Sequence, residues 1–213
     1  MMTRVYLVCQ GTTDWNKEEI FRGRADCPLN EKGRGEAQAL VRYFRDISLD
    51  AIYSSPLARA TETARPLASS KGLSVIPDPA FSDLDFGSWQ GVAVQRVKET
   101  DGELYRVWQE RPQEVTFPGG EDLAQVRDRA WEGLQRIVGE NPDKALLVVS
   151  HRVVTKVLIL TVLGLDLAHF WRIRQGTTAV NCLDYTGQFF IAALINDTCH
   201  LSGILGSSCQ KGF

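Results

Sequence analysis

Three side chains that can bind an anion, or donate a proton to one, follow predicted strands of this chain. They are Arg59, in the first turn of the helix after strand 51–53, Asp83, in the loop after strand 73–76, and His151, just after strand 145–149. The tripeptide Cys9-Gln10-Gly11 follows a further strand, 4–8. Because ligands bind at the carboxyl ends of the strands in an open α/β sheet, we expect these four segments to converge on one pocket.

Each of the three side chains suits work on a phosphate group, and each also has a plainer explanation. The Arg59 guanidinium, next to the free N–H groups of a helix start, can grip two phosphate oxygens, or it can pair with Glu62 at the surface. His151 can donate to phosphate, or it can be a helix-start histidine bound to backbone. Asp83 can protonate a leaving alkoxide if burial raises its pKa, or it can be a turn residue.

The elements that must position these side chains alternate between strands and helices. Apolar residues at helical spacing predict helices at 33–45, 121–138 and 152–163. Ser55-Pro56 predicts an N-cap and first helical position for another helix that ends near Gly72. A hairpin of strands 179–185 and 188–194 turns at Thr186-Gly187. This order predicts an α/β fold of three layers, α/β/α, with a mostly parallel central sheet.

We expect one domain over 1–213, because this length suits a single core. The segment at about 91–120 carries many charges and few strand signals, which predicts a helical lid insertion over one end of the sheet. The end of the chain, 203–213, is rich in Gly and Ser, and we expect it to be frayed.

Composition limits the partners of the protein. With 44% hydrophobic and 23% charged residues and a net charge of −2, nothing predicts binding to nucleic acid or to an anionic membrane. Five scattered cysteines without a C-x-x-C pair argue against a disulfide framework and against a zinc site. No targeting segment is visible, so we expect a cytoplasmic protein.

Ordered motifs along nearly the whole chain resemble the histidine phosphatase superfamily, also called phosphoglycerate mutase-like. They are Trp15-Asn16, Phe21-Arg22-Gly23, Asp26-Cys27-Pro28-Leu29-Asn30-Glu31-Lys32-Gly33, Ser54-Ser55-Pro56-Leu57-Ala58-Arg59-Ala60, Asp85-Phe86-Gly87-Ser88-Trp89-Gln90-Gly91, Pro118-Gly119-Gly120-Glu121 and Val148-Val149-Ser150-His151. The short insertion and the sequence after His151 look most like the phosphatase branch, which includes α-ribazole phosphatase and phosphoserine phosphatase.

The resemblance implies roles for particular residues. It makes Arg59 and His151 phosphate ligands, Asn16 a pocket residue, and Arg22 part of the loop that shapes the substrate side. Asp83 stands at the position of the proton donor. The resemblance further implies hydrolysis of a small phosphomonoester through a phosphohistidine, with no metal and no cofactor. Substrate choice would lie in segment 91–120 and in the Arg22 loop.

Two residues depart from the pattern of that family. Gln10 stands at the position of the nucleophilic histidine, and Cys9 at the position of the first phosphate-binding arginine. A carboxamide nitrogen shares its lone pair with the carbonyl group, so Gln10 is a very poor nucleophile. Cys9 replaces a bidentate cation with a small thiol. It also lacks the arginine that cysteine phosphatases place six residues later, where this chain has Trp15.

We therefore expect a pocket for a small phosphorylated metabolite or inorganic phosphate with little or no catalysis, that is, a pseudoenzyme. The alternatives are an active phosphatase that uses another nucleophile, such as His151 or Cys9, a mutase-type phosphotransferase, and a non-catalytic scaffold or regulatory protein. A homodimer is also open.

Overall fold

The computed structural model describes residues 2–202, and the predicted frayed end at 203–213 lies outside them. Six strands are present among these residues: β1 (Thr3–Cys9), β2 (Ala51–Ser54), β3 (Val75–Pro77), β4 (Ala145–Ser150), β5 (Val180–Tyr185) and β6 (Phe190–Asp197). The α-helices are α1 (Asp14–Lys17), α2 (Glu31–Tyr43), α3 (Ala58–Lys71), α4 (Val94–Thr100), α5 (Gly102–Glu110), α6 (Leu123–Glu140) and α7 (Arg152–Val162). Short 3-10 helices lie at Pro79–Phe81, Gly87–Trp89, Pro112–Glu114, Leu167–Arg172 and Cys199–Leu201.

The strands form one sheet in the order β3-β2-β4-β1-β5-β6. Strands β3, β2, β4 and β1 pair in parallel, while β5 pairs antiparallel with both β1 and β6. The mostly parallel sheet with a late hairpin is therefore confirmed. Strands β1 and β4 are parallel neighbours in the middle of the sheet, and they end at the paired residues Cys9 and Ser150. The loops that follow these two residues therefore leave the sheet at the same place.

Helices cover both faces of the sheet, which confirms the three layers. Along β4, Leu146 and Val148 belong to a core with α6 and α7, while Leu147 and Val149 belong to a second core with α2 and α3. Alternate residues of a strand point to opposite faces, so a continuous apolar run is what a strand buried on both sides requires.

The third helix starts later than Ser55-Pro56 predicts. Helix α3 begins at Ala58, its N-cap residue is Leu57, and no side chain caps it. The Ser55 hydroxyl instead contacts the ring of His151 and accepts a hydrogen bond from the Leu57 N–H. Ser55 is therefore held by the site and not by the helix start.

Segment 91–120 is helical, with α4 and α5, and it packs through aromatic rings. Trp108 of α5 is buried, and its ring contacts the rings of Phe117, Phe170 and Trp171 at centroid distances of 5.3, 5.3 and 5.2 Å. This aromatic cluster fixes the segment beside the carboxyl ends of the strands. Within residues 2–202, no helix is both long and apolar enough to cross a membrane.

Candidate active site

A cavity of about 640 Å³ lies at the carboxyl ends of the parallel strands, where the motif-bearing loops meet. Its size is typical of a site for a small ligand. The buried part of its wall includes Gln10, Thr12, Asp83, Trp108, Lys156, Phe170 and Thr177, and the exposed mouth includes Asp14, Lys17, Glu19, Glu31 and Lys32. Of the site residues predicted from the sequence, Gln10, Asn16, Arg22 and Asp83 line this cavity.

Gln10 is fixed in the cavity wall by its backbone. Its N–H donates to the Ser150 carbonyl at 2.8 Å, and its own carbonyl accepts from the Thr178 N–H at 3.3 Å. The thiol of Cys9 donates to Oε1 of the Gln10 carboxamide at 3.5 Å. Burial raises the pKa of this thiol to about 11, although the charge of Arg152 acts in the opposite direction. The raised pKa favours the neutral thiol of Cys9, which donates to Gln10, over the thiolate.

Arg59 lies behind the wall and is fully buried. Its Nη2 donates to the Gly23 carbonyl at 2.5 Å and to Oδ2 of Asp83 at 3.1 Å, and its Nη1 donates to the Ala25 carbonyl at 2.9 Å. Its Nε has no hydrogen-bond partner in the described residues. The alternative of a surface pair with Glu62 is wrong, because the Glu62 carboxylate accepts from the Leu29 N–H instead.

His151 is also fully buried, and it faces Asp83 from the other side. Its Nε2 is 2.7 Å from the Ser55 hydroxyl, and its Nδ1 is 3.6 Å from Oδ2 of Asp83. Burial and the charge of Arg59 hold the pKa of His151 well below 6.5, so the ring is neutral. Since Ser55 can donate its hydroxyl proton to Nε2, we assign the ring proton to Nδ1, where it points at Asp83.

Asp83 joins the two buried groups to the cavity. Its Oδ2 meets Arg59 and His151, while its Oδ1 accepts from the N–H of Leu84, as a turn residue does. Asp83 thus makes the contact of a turn residue and also lines the cavity, while its role as proton donor stays a prediction. This carboxylate, 5% exposed, is the group through which Arg59 and His151 reach the cavity wall.

Arg22 and Asn16 approach from the loop on the other side of the cavity. Burial, together with the positive charge of Arg152, lowers the pKa of Arg22 to about 10, and its Nε has no partner among the described residues. Asn16 uses Oδ1 to accept from the N–H of Thr13 at 2.9 Å, which closes the first turn of α1. Asn16 also lines the cavity.

Two cations of α7, Arg152 and Lys156, also line the cavity, and neither was predicted from the sequence as a site residue. Lys156 is 3% exposed, and its ammonium lies 4.5 Å from the ring centre of Phe170 and 4.6 Å from that of Trp171. Burial and the charge of Arg152 lower its pKa to about 7. A lysine inside the apolar run of 153–160 was the available signal, since lysine is almost never buried without a reason.

The loop that follows Gln10 is held by α2 at close range. The buried carboxylate of Glu36 accepts from the Thr12 N–H at 2.8 Å and from the Thr12 and Thr177 hydroxyls. A Cβ atom on Gly33 would lie 2.1 Å from the backbone oxygen of Thr12, so only glycine permits this approach. Helix α2 therefore sets the position of the backbone that carries Gln10.

The other histidines lie apart from this site. His169 contacts the Asp166 carbonyl, and His200 packs against Tyr43 and contacts the Thr178 hydroxyl. Residues 2–202 contain no group of three or more His, Cys, Asp or Glu side chains that could hold a metal ion.

The architecture is that of the phosphoglycerate mutase-like fold. The chain belongs to the histidine phosphatase superfamily (branch 1), whose family model matches residues 5–198, and this confirms the resemblance drawn from the motifs.

Several known proteins similar to the chain are phosphatases by name. It is 33% identical to phosphoserine phosphatase 1 of Hydrogenobacter thermophilus over 94% of this chain and 95% of that protein. The structure of Bacillus stearothermophilus YhfR superposes with a TM-score of 0.91 at 30% identity, over 93% of this chain and 99% of that one. The α-ribazole phosphatase of Shigella flexneri superposes with a TM-score of 0.83 at 27% identity, over 91% and 96% of the two chains.

Proposed function

We propose that the protein binds a small phosphomonoester or inorganic phosphate in the cavity and hydrolyses phosphomonoesters slowly or not at all. The observation that carries this proposal is Gln10 itself. Gln10 lines the cavity together with Asn16, Arg22 and Asp83, and it stands at the position where the family carries its nucleophilic histidine.

The names of the relatives support the phosphate chemistry of the ligand. Phosphoserine phosphatase and α-ribazole phosphatase are enzymes of small phosphorylated metabolites by name. In this chain, Arg22 and Asn16 line the cavity from the loop side and would contact the ligand there. That Arg59 and His151 bind phosphate stays a prediction, since both lie behind the wall, where Arg59 donates to Asp83 and Nδ1 of His151 faces it. Asp83 stands at the proton-donor position.

Neither alternative nucleophile has a suitable environment. The raised pKa of Cys9 keeps its thiol protonated at neutral pH. The His151 nitrogen that faces Asp83 carries the proton in our assignment, and the other nitrogen is occupied by Ser55. A protonated nitrogen has no free lone pair for attack on phosphorus.

Restoring the nucleophile tests this proposal. We would assay the chain as it stands beside Gln10→His, alone and together with Cys9→Arg, on an aryl phosphate, phosphoserine, α-ribazole phosphate and 3-phosphoglycerate. Since loss of a covalent nucleophile costs on the order of 10⁶ in rate, we expect a histidine at position 10 to raise turnover by about three orders of magnitude or more. Gln10→Asn, which keeps a carboxamide, serves as the matched control.

If the unchanged chain turns over substrate at a rate comparable to that of Gln10→His, the proposal is refuted, and His151 and Cys9 become the candidate nucleophiles. Transfer of phosphate between positions of phosphoglycerate, without net release, would favour the mutase-type alternative. Binding without turnover in any variant would favour a scaffold or regulatory protein. The homodimer stays a prediction, and the exposed apolar side chains of the edge strand β6, such as Ile191 and Leu194, mark a surface to examine for it.

A further inference from the structure

Arg152 lies close to the position from which the first phosphate-binding arginine is missing. Cys9 and Ser150 are paired as the last residues of β1 and β4, and the Gln10 N–H donates to the Ser150 carbonyl. Arg152 begins α7 two residues after Ser150 and lines the same cavity as Gln10. The ends of β1 and β4 therefore lie at the same cavity. The end of β1 lacks the expected arginine, and the residues after β4 supply Arg152.

Within residues 2–202 the Arg152 guanidinium makes no hydrogen bond or ion pair, although its charge acts on several neighbours. After burial, it is the leading influence on the pKa of Cys9, of Arg22 and of Lys156, and it favours loss of the proton from each of them. These three groups come from β1, from the loop after α1 and from α7. The charge of Arg152 therefore acts on one thiol and two cations that come from three different elements.

Three cations, Arg22, Arg152 and Lys156, thus line the same cavity. The buried carboxylate in its lining, Asp83, is already engaged by Arg59 at 3.1 Å. Like charges in a partly desolvated space repel one another, and an anion with several charged oxygens removes that repulsion. The inner lining of the cavity therefore favours a multiply charged anion.

We propose that Arg152 supplies, from the start of α7, the guanidinium that position 9 lacks, and that it binds the phosphate group of the ligand together with Arg22 and Lys156. The inference rests on the proposed function, since it concerns the same cavity and the same ligand class. It adds that Arg152, after β4, compensates for the arginine that is missing at Cys9, at the end of β1. The chain can thus bind phosphate although it lacks the nucleophilic histidine.

The experiment is a calorimetric titration of inorganic phosphate into the full chain at fixed pH and ionic strength. We expect Arg152→Gln to weaken phosphate binding at least tenfold, because a charge-assisted pair of hydrogen bonds is lost. Arg96→Gln removes the same charge from an exposed residue of α4 and should change the affinity less than twofold. In the Arg152→Gln background, Cys9→Arg should restore most of the lost affinity, whereas in the unchanged chain it should give a much smaller gain.

The outcomes separate this inference from the proposed function. If the unchanged chain binds phosphate and Arg152→Gln binds it equally well, the inference is overturned and the proposed function stands. If the unchanged chain binds no phosphate, both fail. A folded double variant that regains no affinity overturns the replacement of position 9. If the Cys9→Arg chain does not fold, Arg152→Lys is the deciding variant, because lysine keeps the charge without the bidentate guanidinium. A phosphate affinity between that of the unchanged chain and that of Arg152→Gln supports the inference. A phosphate affinity equal to that of Arg152→Gln overturns it.

Discussion

Replacing Asp83 by asparagine should weaken the fold and strengthen anion binding at the same time. Asp83 lies in the cavity wall, 3.1 Å from Arg59 and 3.6 Å from Nδ1 of His151, so its charge stabilises the buried cation and opposes any anion that enters. The carboxamide of Asp83→Asn would keep the shape and one acceptor oxygen but would remove the charge. The two effects have opposite signs, which makes the prediction specific.

The gain in affinity follows from Coulomb's law. Two unit charges about 6 Å apart repel by about 3 kcal/mol at an effective dielectric constant of about 20. Because Arg59 already offsets part of the Asp83 charge, we expect about half of this, about 1.4 kcal/mol, which corresponds to a tenfold gain in affinity.

The loss of stability follows from the burial of Arg59. Breaking a buried ion pair costs about 3–5 kcal/mol when nothing replaces the partner. Here the Gly23 and Ala25 carbonyls still accept from Arg59, so we expect about 2 kcal/mol. In a domain of this size, each 1 kcal/mol lowers Tm by about 2–4 °C, which gives a fall of about 4–8 °C.

The assay combines calorimetric titration of phosphate with thermal unfolding in the absence of ligand. Glu31→Gln is the matched control, because Glu31 is an exposed carboxylate at the mouth of the same cavity. Solvent screens its charge, so the control should change affinity less than twofold. Unchanged or weaker phosphate binding by Asp83→Asn, in a chain that still folds, would refute this account of the site.

Two further predictions concern Lys156 and the packing of α2. The pKa of Lys156 is lowered to about 7, and a bound anion favours its charged form, so sulfate affinity should fall as pH rises from about 6.5 to about 8.5. Lys156→Met should abolish this pH dependence. Other groups do not explain it, because sulfate keeps its charge over this range, the pKa of Arg22 is about 10, and that of His151 lies well below 6.5. A slope that persists in Lys156→Met would contradict the assignment. Gly33→Ala should lower Tm by several degrees and weaken phosphate binding, because its Cβ would meet the Thr12 backbone, whereas Gly35→Ala, with open space at its Cβ, should be neutral or stabilising in thermal unfolding.

The layers of the fold follow from local sequence patterns, and the sequence predicted them correctly. The strands are short apolar runs and the helices have apolar faces, so period and length decide most of the assignment. The predicted start of α3 was wrong, because the Ser55 hydroxyl contacts the ring of His151, which lies far away in the sequence, and does not cap the helix. A tertiary contact of this kind leaves no trace in the local pattern.

The site was predictable as a set of positions but not as a set of contacts. The motifs identified Gln10 and Asp83 as neighbours of a pocket, and both line the cavity. They did not indicate that Arg59 and His151 lie behind the wall, since that depends on carbonyl groups of the Gly23 loop. Nor did they point to Arg152, because one arginine at a helix start is an ordinary feature until the structure places it beside Cys9.

The aromatic rings around the cavity give the protein an intrinsic optical reporter. Three of its five tryptophans, Trp15, Trp108 and Trp171, line the cavity, and the ring of Trp171 lies 4.6 Å from the ammonium of Lys156. Indole emission responds to nearby charge and to water, so a ligand that enters beside these rings changes the fluorescence without any label. Occupancy, and its rate of change in a stopped-flow instrument, can thus be followed in the unmodified chain even if no reaction takes place.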